Sequence, residues 1–238
     1  MKTHVATVRI MSQSAFHAVL SAALVLSLLF AGFMAAEPRI SHGQSDQQTF
    51  RVRQTITDET SFHVIPPNVT MNGSISGISG GNATGSSQFV VKSNNASGYY
   101  VEIAYYDNAG AYAMYGDKDF GEQIRDYGGD VVGEPSYNFT ASTAAQFAYT
   151  VNSSTTGDTD GSFKHNGSAC GTGGSTQTFG KCWKKPATSA FRIVSRNTAA
   201  SAGATSTVYF KINVPSGAVP VPTAQTYTAT ATLSVFTQ

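Results

Sequence analysis

The chain has 238 residues, with 15 Lys plus Arg against 14 Asp plus Glu and a formal net charge of +1. From residue 44 onward there are 12 basic and 13 acidic side chains, which excludes the basic surplus that nucleic-acid binding requires. Leucine occurs once in that part, at Leu233, and Ser, Thr, Gly and Asn dominate, so strands and turns are expected rather than helices.

The first 36 residues have the composition of an export signal. Lys2 and Arg9 precede an apolar run over residues 19–36, and no acidic residue occurs before Glu37. A basic leader followed by an apolar segment is typical of a signal peptide. We therefore expect the rest of the chain to be extracellular, either secreted or held at the cell surface.

The cleavage site decides between secretion and anchoring. Bulky residues at 33–34 disfavour cleavage directly after the apolar run, whereas Ser-His-Gly at 41–43 fits better. The run of 18 residues also lies at the lower limit for a helix that spans a bilayer. Residues 1–43 are thus predicted to be a signal peptide or, alternatively, an uncleaved membrane anchor. Residues 44–238 are predicted to form one extracellular domain, which touches a membrane only through that anchor.

Short β-strands are predicted throughout this domain. Alternation of period two is clearest over residues 99–106, where Tyr99, Val101, Ile103 and Tyr105 share a face that we expect to point inward. The other predicted strands cover residues 50–57, 61–65, 69–78, 87–93, 146–151, 189–195, 208–214 and 227–235. About eight to ten short strands separated by turns predict an all-β fold, an antiparallel β-sandwich with long irregular loops over 107–140 and 152–186.

The two cysteines of the chain, Cys170 and Cys182, both lie in the loop 152–186. In an exported chain two cysteines most often form a disulfide bond, and closing a loop of this size is worth about 3 kcal/mol in the chain-entropy model. The alternatives are a metal site that includes His165, or free thiols. The disulfide is the favoured interpretation because this spacing matches no standard zinc site. Trp183 is expected to pack beside the disulfide.

Three stretches of the sequence, residues 62–71, 90–103 and 222–235, together resemble WxL-like and related secreted β-sandwich proteins of bacterial surfaces, including those of candidate-phylum bacteria. The Trp-x-Leu signature itself is absent, since residues 98–101 read Gly-Tyr-Tyr-Val. The resemblance implies an Ig-like or WxL-like sandwich at the cell surface. It also implies a non-enzymatic role in structure, assembly or adhesion, and it brings no catalytic residues.

Catalytic and metal-binding patterns are weak. Serine is plentiful, but Gly73–Gly77 does not have the glycine and serine spacing of a nucleophile elbow. His63 lies within a predicted strand and is more typical of a structural or surface histidine than of a base. Asp117, Asp119 and Glu122 are close enough in sequence to bind calcium, although a solvated acidic loop is favoured. The prediction is a protein without catalytic residues, metal or cofactor, and not an enzyme.

The candidate contact surface combines basic and aromatic residues. Residues of this kind in a long loop suit recognition of a partner, whereas exposed tyrosines on a strand suit stacking on sugars. The candidates are Lys181, Trp183, Lys184 and Lys185 in the disulfide loop and Tyr100 and Tyr106 on the predicted strand 99–106. The main functional hypothesis is a structural or adhesion protein, and the alternative is an extracellular carbohydrate-binding module.

Charge is distributed unevenly along the domain. Residues 107–134 contain seven acidic and two basic side chains, whereas no acidic residue follows Asp160. The two regions either meet within one molecule or meet between molecules, which would make the chain a subunit of a head-to-tail surface assembly. The expected partner is therefore a cell-surface component or a second copy of the chain.

Overall fold

The computed structural model describes residues 21–29, 50–106, 112–128, 135–141, 143–171 and 173–238. The chain divides into two compact units, Met1–Gln54 and Thr55–Gln238. In the first unit, residues 21–29 form an α-helix whose side chains are exposed. No helix in the described part of the chain is long and apolar enough to cross a membrane. Most of the predicted export segment 1–43 lies outside the described residues, as do 107–111 and 129–134 of the acidic region.

The second unit is mostly β-structure, which confirms the predicted all-β class. Its strands are β1 (Thr60–Val64), β2 (Ile75–Ser76), β3 (Gly80–Ser93), β4 (Tyr99–Tyr105), β5 (Met114–Gly116), β6 (Gln123–Asp126), β7 (Gln146–Ser153), β8 (Phe191–Arg196), β9 (Ala200–Val214), β10 (Tyr227–Ala229) and β11 (Ala231–Thr237). Two short 3₁₀ turns, Thr156–Asp158 and Gly161–Phe163, follow β7.

The strands form two sheets that pack against each other. The large sheet has the order β1-β3-β9-β7-β6-β5-β10, with β2 also paired to β3, and the small sheet has the order β11-β4-β8. The pairs are antiparallel except for β6 and β7, which run parallel. The expectation of a purely antiparallel fold is wrong at this pair, where Tyr127 continues the contact by donating its N–H to the carbonyl of Phe147.

The core lies between the two sheets. The predicted inward face of β4 is confirmed, because Tyr99, Val101, Ile103 and Tyr105 are all buried while the alternate residues are not. On the large sheet, the core-facing side chains come from the central strands β3, β9 and β7. They include Phe89, Val91, Tyr149, Val151 and Val208. Each buried aliphatic or aromatic side chain contributes roughly 1.5–3 kcal/mol to folding through the hydrophobic effect.

The C-terminal residues 227–235 were predicted as one strand, and the structure divides them between the sheets. β10 pairs with β5 in the large sheet, whereas β11 pairs with β4 in the small sheet. The crossing point is Thr230, whose carbonyl accepts a hydrogen bond of 2.9 Å from the N–H of Tyr106. The chain therefore closes one end of the gap between the sheets at the point where it changes sheet.

Two further expectations differ from the structure. Residues 50–57 were predicted as the first strand, but residues 50–59 form no strand and β1 begins at Thr60. Part of the segment 107–140, predicted to be irregular, contains β5 and β6, whose Met114 and Ile124 are buried. These two strands are too short for their alternation to be recognised in the sequence.

Candidate functional site

The disulfide bond between Cys170 and Cys182 is present, with Cα atoms 5.7 Å apart, and confirms the prediction. Because both sulfur atoms are used in this bond, the alternative of a thiolate metal site with His165 is wrong. His165 instead pairs through its backbone with Thr176, and its Nδ1 accepts a hydrogen bond from Gly167. The ring packs edge-on against Tyr137. The histidine is therefore part of the loop's packing.

The second half of the disulfide loop runs beside β7. Lys184 exchanges two backbone hydrogen bonds with Tyr149, and Trp183 does the same with Ser136. Successive side chains in extended backbone alternate between faces. Cys182 accordingly belongs to the main core, whereas Trp183 packs with Phe139 on the opposite face of the large sheet.

This pairing corrects the expected contact surface. Trp183 and Lys184 are only 5% and 6% exposed, so neither lies on an accessible surface. Trp183 donates from Nε1 to the carbonyl of Gly180, and the Lys184 ammonium lies 4.1 Å from the ring centre of Phe191. The expectation that Trp183 covers the disulfide also fails, because its aromatic neighbours are Phe139 and Tyr127.

The remaining candidate residues are scattered rather than brought together. Lys181 donates to Asn138 and lies over the Tyr137 ring, while Lys185 is exposed. Tyr100 stacks on Phe236 of β11, and Arg192 of β8 lies over the same ring. Since β11 and β8 flank β4 on opposite sides, the Tyr100 ring has neighbours on both sides. Tyr106 is exposed at the end of β4.

The acidic residues form turns in the structure. Asp119 accepts a hydrogen bond from the N–H of Gly121, and Asp158 forms an ion pair of 2.6 Å with Arg196. Asp160 caps the second 3₁₀ turn by accepting from Ser162. Within the described residues, no group of three or more His, Cys, Asp or Glu side chains is placed to hold a metal ion.

A groove of about 700 Å³ is lined by residues of both sheets. Ile103 and Tyr105 of β4 form one wall, and core residues of β7 and β9 form the other, among them Phe147 and Phe210. The rims are residues 66–71 on one side and β11 on the other, where Ala231 and Leu233 face the groove. We call this feature the inter-sheet groove.

The groove exists because its two rims belong to different sheets. Residues 66–76 follow the outer edge of β3, where the Ser87 hydroxyl donates to the carbonyl of Pro67 and Asn72 exchanges two backbone hydrogen bonds with Thr84. β11 lies at an edge of the small sheet and, within the described part of the chain, forms a ladder with β4 alone. An edge strand offers unpaired backbone groups to a further strand.

The lining of the groove is apolar at its base and mixed in polarity elsewhere, since residues such as Ser87, Gln225 and Thr228 also line it. Among the described residues that line it, none is Asp, Glu, His, Lys, Arg or Cys. One of its polar groups is the buried hydroxyl of Tyr105, which has no hydrogen-bond partner within the described residues. Burial, followed by the nearby Tyr149 and Asp126, raises the pKa of Tyr105 well above 10, so the hydroxyl stays a neutral donor. The groove thus offers apolar contacts together with hydroxyl and amide groups.

Comparison of the chain with protein-family models, with curated proteins and with solved structures finds no match. Functional inference therefore depends on the groove itself. The sequence pattern does not predict the groove, although one signal is present: the single leucine after residue 44 is Leu233, which lines the groove.

Proposed function

We propose that this chain is an exported, non-enzymatic structural protein that assembles with further copies of itself at the cell surface. The observation that carries the proposal is the inter-sheet groove beside the edge strand β11. A groove with exposed apolar side chains and an unpaired strand edge are both features that soluble monomers usually cover. A partner that adds a strand covers both at once.

Export and surface location are supported by the composition of residues 1–36 and by the disulfide, a bond typical of oxidising compartments. The two packed sheets, antiparallel except at β6 and β7, are compatible with a sandwich of the Ig-like or WxL-like kind. Adhesion to another cell-surface component is a variant of the same role. The carbohydrate-binding alternative is less well supported, because Tyr100 is already flanked by Phe236 and Arg192.

Apolar surface continues beyond the groove. Ile78, Val219 and Val221 are exposed on turns near its end, at 77%, 72% and 51%. These turns lie together, since the carbonyl of Ile78 accepts from Gly217 and Gly77 lies against Pro222. Exposed apolar side chains on neighbouring turns favour an interaction site here.

The test is the association state of the full-length chain recovered after export, measured by analytical ultracentrifugation over a range of concentrations. We expect oligomers that grow with concentration and that Leu233→Arg disperses. The matched control is Thr232→Arg, the exposed neighbour on the other face of β11, which should leave assembly intact. A native chain that remains monomeric at every concentration would overturn the proposal.

A further inference from the structure

Residues 165–170, within the loop 152–186, form a tight turn that contains the dipeptide Asn166-Gly167. A backbone hydrogen bond of 3.1 Å from the N–H of Asn166 to the carbonyl of Ala169 closes the turn, and a β-bridge between His165 and Cys170 flanks it. Asn166 and Gly167 are exposed to water, whereas His165 is 4% exposed. A glycine after asparagine has no Cβ to obstruct attack by its own nitrogen on the asparagine side chain.

The backbone nitrogen of Gly167 lies beside a group that can remove its proton. Its N–H donates to Nδ1 of His165 over 3.1 Å. Because Nδ1 accepts this bond, the neutral ring carries its own proton on Nε2. A backbone amide attacks a carbonyl carbon after it loses its proton, and a histidine within hydrogen-bond reach is the commonest general base in proteins. The contact therefore activates the Gly167 nitrogen.

The other ring nitrogen of His165 is not accounted for by packing. Nε2 is buried and has no hydrogen-bond partner within the described residues. A buried donor without an acceptor lowers stability and calls for a physical reason. The ring of Tyr137 packs edge-on against the imidazole, with ring centres 5.2 Å apart. This packing keeps Nδ1 directed at Gly167 and leaves Nε2 unpaired.

Hydrogen-bond donors also surround the side-chain oxygen of Asn166. Oδ1 accepts from the N–H of Ser168 at 3.1 Å, from the Ser168 hydroxyl at 3.1 Å and from the N–H of Ala169 at 2.9 Å. Attack on the amide carbon moves negative charge onto this oxygen, and donors that are already in place stabilise that charge. The three bonds also hold the amide in one orientation within the turn.

We propose that Asn166 is a self-modification site, which is converted to aspartate or isoaspartate with His165 as the general base. Nδ1 of His165 takes the proton of the Gly167 N–H, and the Gly167 nitrogen bonds to Cγ of Asn166 to close a succinimide ring. The bond from Cγ to Nδ2 breaks, and Nδ2 leaves as ammonia with the proton that His165 held. Water then opens the ring, at Cγ to give aspartate or at the main-chain carbonyl to give isoaspartate. Water is the one co-reactant that the conversion needs.

The conversion changes charge and backbone together, independently of self-assembly. No acidic residue follows Asp160 in the sequence, so the product adds a negative charge to the basic C-terminal third. Isoaspartate also adds a methylene group to the main chain, in a turn that ends at the disulfide residue Cys170. The reaction is not reversed once ammonia is lost. The modified fraction therefore grows with the age of the molecule.

The chain contains a second Asn-Gly pair, which serves as an internal control. Asn72-Gly73 follows Met71 and so has no histidine at the corresponding position. Its backbone is also held in a pair, because Asn72 exchanges two hydrogen bonds with Thr84 of β3. Asn72 is therefore expected to convert slowly in the folded chain, and at about the rate of Asn166 when the chain is unfolded.

Peptide mass spectrometry of the purified full-length chain, aged at neutral pH with its disulfide intact, measures conversion at both asparagines. In the folded chain we expect Asn166 to convert at least about tenfold faster than Asn72, as general-base catalysis allows. Unfolding in urea should slow Asn166 to the rate of Asn72. His165→Phe keeps an aromatic ring against Tyr137 but removes the acceptor, so it should slow Asn166 by a similar factor. The matched control is His63→Phe, at an exposed position of β1, which should leave the rate unchanged.

Circular dichroism establishes that each variant is folded, and Asn166→Gln, whose longer side chain cannot close the same ring, establishes where the mass change arises. If His165→Phe does not fold, the comparison of the folded with the urea-unfolded native chain carries the test. Conversion of Asn166 that is faster in urea than in the folded chain would overturn the proposal, because the turn would then protect the asparagine. An unchanged rate in folded His165→Phe would overturn the role of the histidine.

Discussion

Leu233 of β11 lies directly opposite Ile103 of β4 in the antiparallel ladder, and both side chains face the interior, yet only Ile103 is fully buried. Ile103 is covered by the large sheet, whereas Leu233 is half-buried at the rim of the inter-sheet groove. Two residues on one face of one sheet thus have different environments because β11 is an edge strand and its Leu233 borders the groove. This difference is the structural basis of the functional proposal.

The dependence of assembly on salt concentration shows whether the groove or the uneven charge distribution causes it. Burial of apolar side chains is not screened by salt and is strengthened by sulfate, whereas attraction between an acidic and a basic surface weakens as ionic strength rises. We expect oligomers measured by light scattering to persist or grow between low salt and 1 M sodium sulfate. Dissociation by salt would instead favour contact between the acidic segment 107–134 and the basic C-terminal third.

Removal of the disulfide is expected to destabilise the second unit. Cys170→Ala/Cys182→Ala should lower the free energy of unfolding by about 3 kcal/mol in urea titrations, because the closed loop restricts the unfolded chain. Cys182 is also fully buried in the core, so the loss is larger if its sulfur contacts are not replaced. Equal stability of the oxidised chain and the double variant would contradict this role.

Trp183→Ala should act on stability rather than on recognition. Its indole packs on Phe139 and is 5% exposed, so truncation leaves a cavity and costs about 3–5 kcal/mol. Ser189→Ala, at an exposed position a few residues later, should change stability by less than about 0.5 kcal/mol. An unchanged unfolding temperature of Trp183→Ala would show that the Trp183 and Phe139 cluster on the outer face of the large sheet does not contribute to stability.

Stability should fall in strongly alkaline solution through Tyr99. Burial raises the pKa of Tyr99 from 10 to about 12. The Asp158 carboxylate adds to this rise, and the Arg196 guanidinium opposes it. The folded state then keeps the Tyr99 proton at a pH where the unfolded chain releases it. The contribution of Tyr99 to the free energy of unfolding is therefore complete below pH 10 and is lost as the pH rises to about 12. Urea titrations at pH 9 and 11 should show a smaller loss for Tyr99→Phe than for the native chain. Tyr106→Phe, at an exposed position, is the control. An equal loss of unfolding free energy in the native chain and in Tyr99→Phe would assign the alkaline transition to other groups.

The sequence predicted the elements that depend on local pattern or on covalent chemistry. The buried face of β4 follows from its alternation, and the disulfide follows from two cysteines in an exported chain. The burial of Trp183 and Lys184 was not predictable, because it depends on backbone pairing with Ser136 and Tyr149 rather than on any periodicity. A basic and aromatic tripeptide in a polar loop has the composition of an exposed surface whether the fold leaves it exposed or buries it.

The groove was missed for a related reason. It is formed by residues 66–71 and β11, which are more than 150 positions apart, and by the change of sheet at Thr230. The continuous alternation over residues 227–235 predicts one strand and hides that break. Conversely, the apolar alternation over residues 50–57 predicted a strand that the isolated chain does not form.

Amide hydrogen exchange of the native chain tests the central claim most directly, with residues 231–237 of β11 followed as the concentration is raised. We predict that β11 gains protection as the chain assembles, that Leu233→Arg abolishes this gain and that Thr232→Arg preserves it. Assembly in which β11 exchanges as fast as in the monomer would contradict the claim.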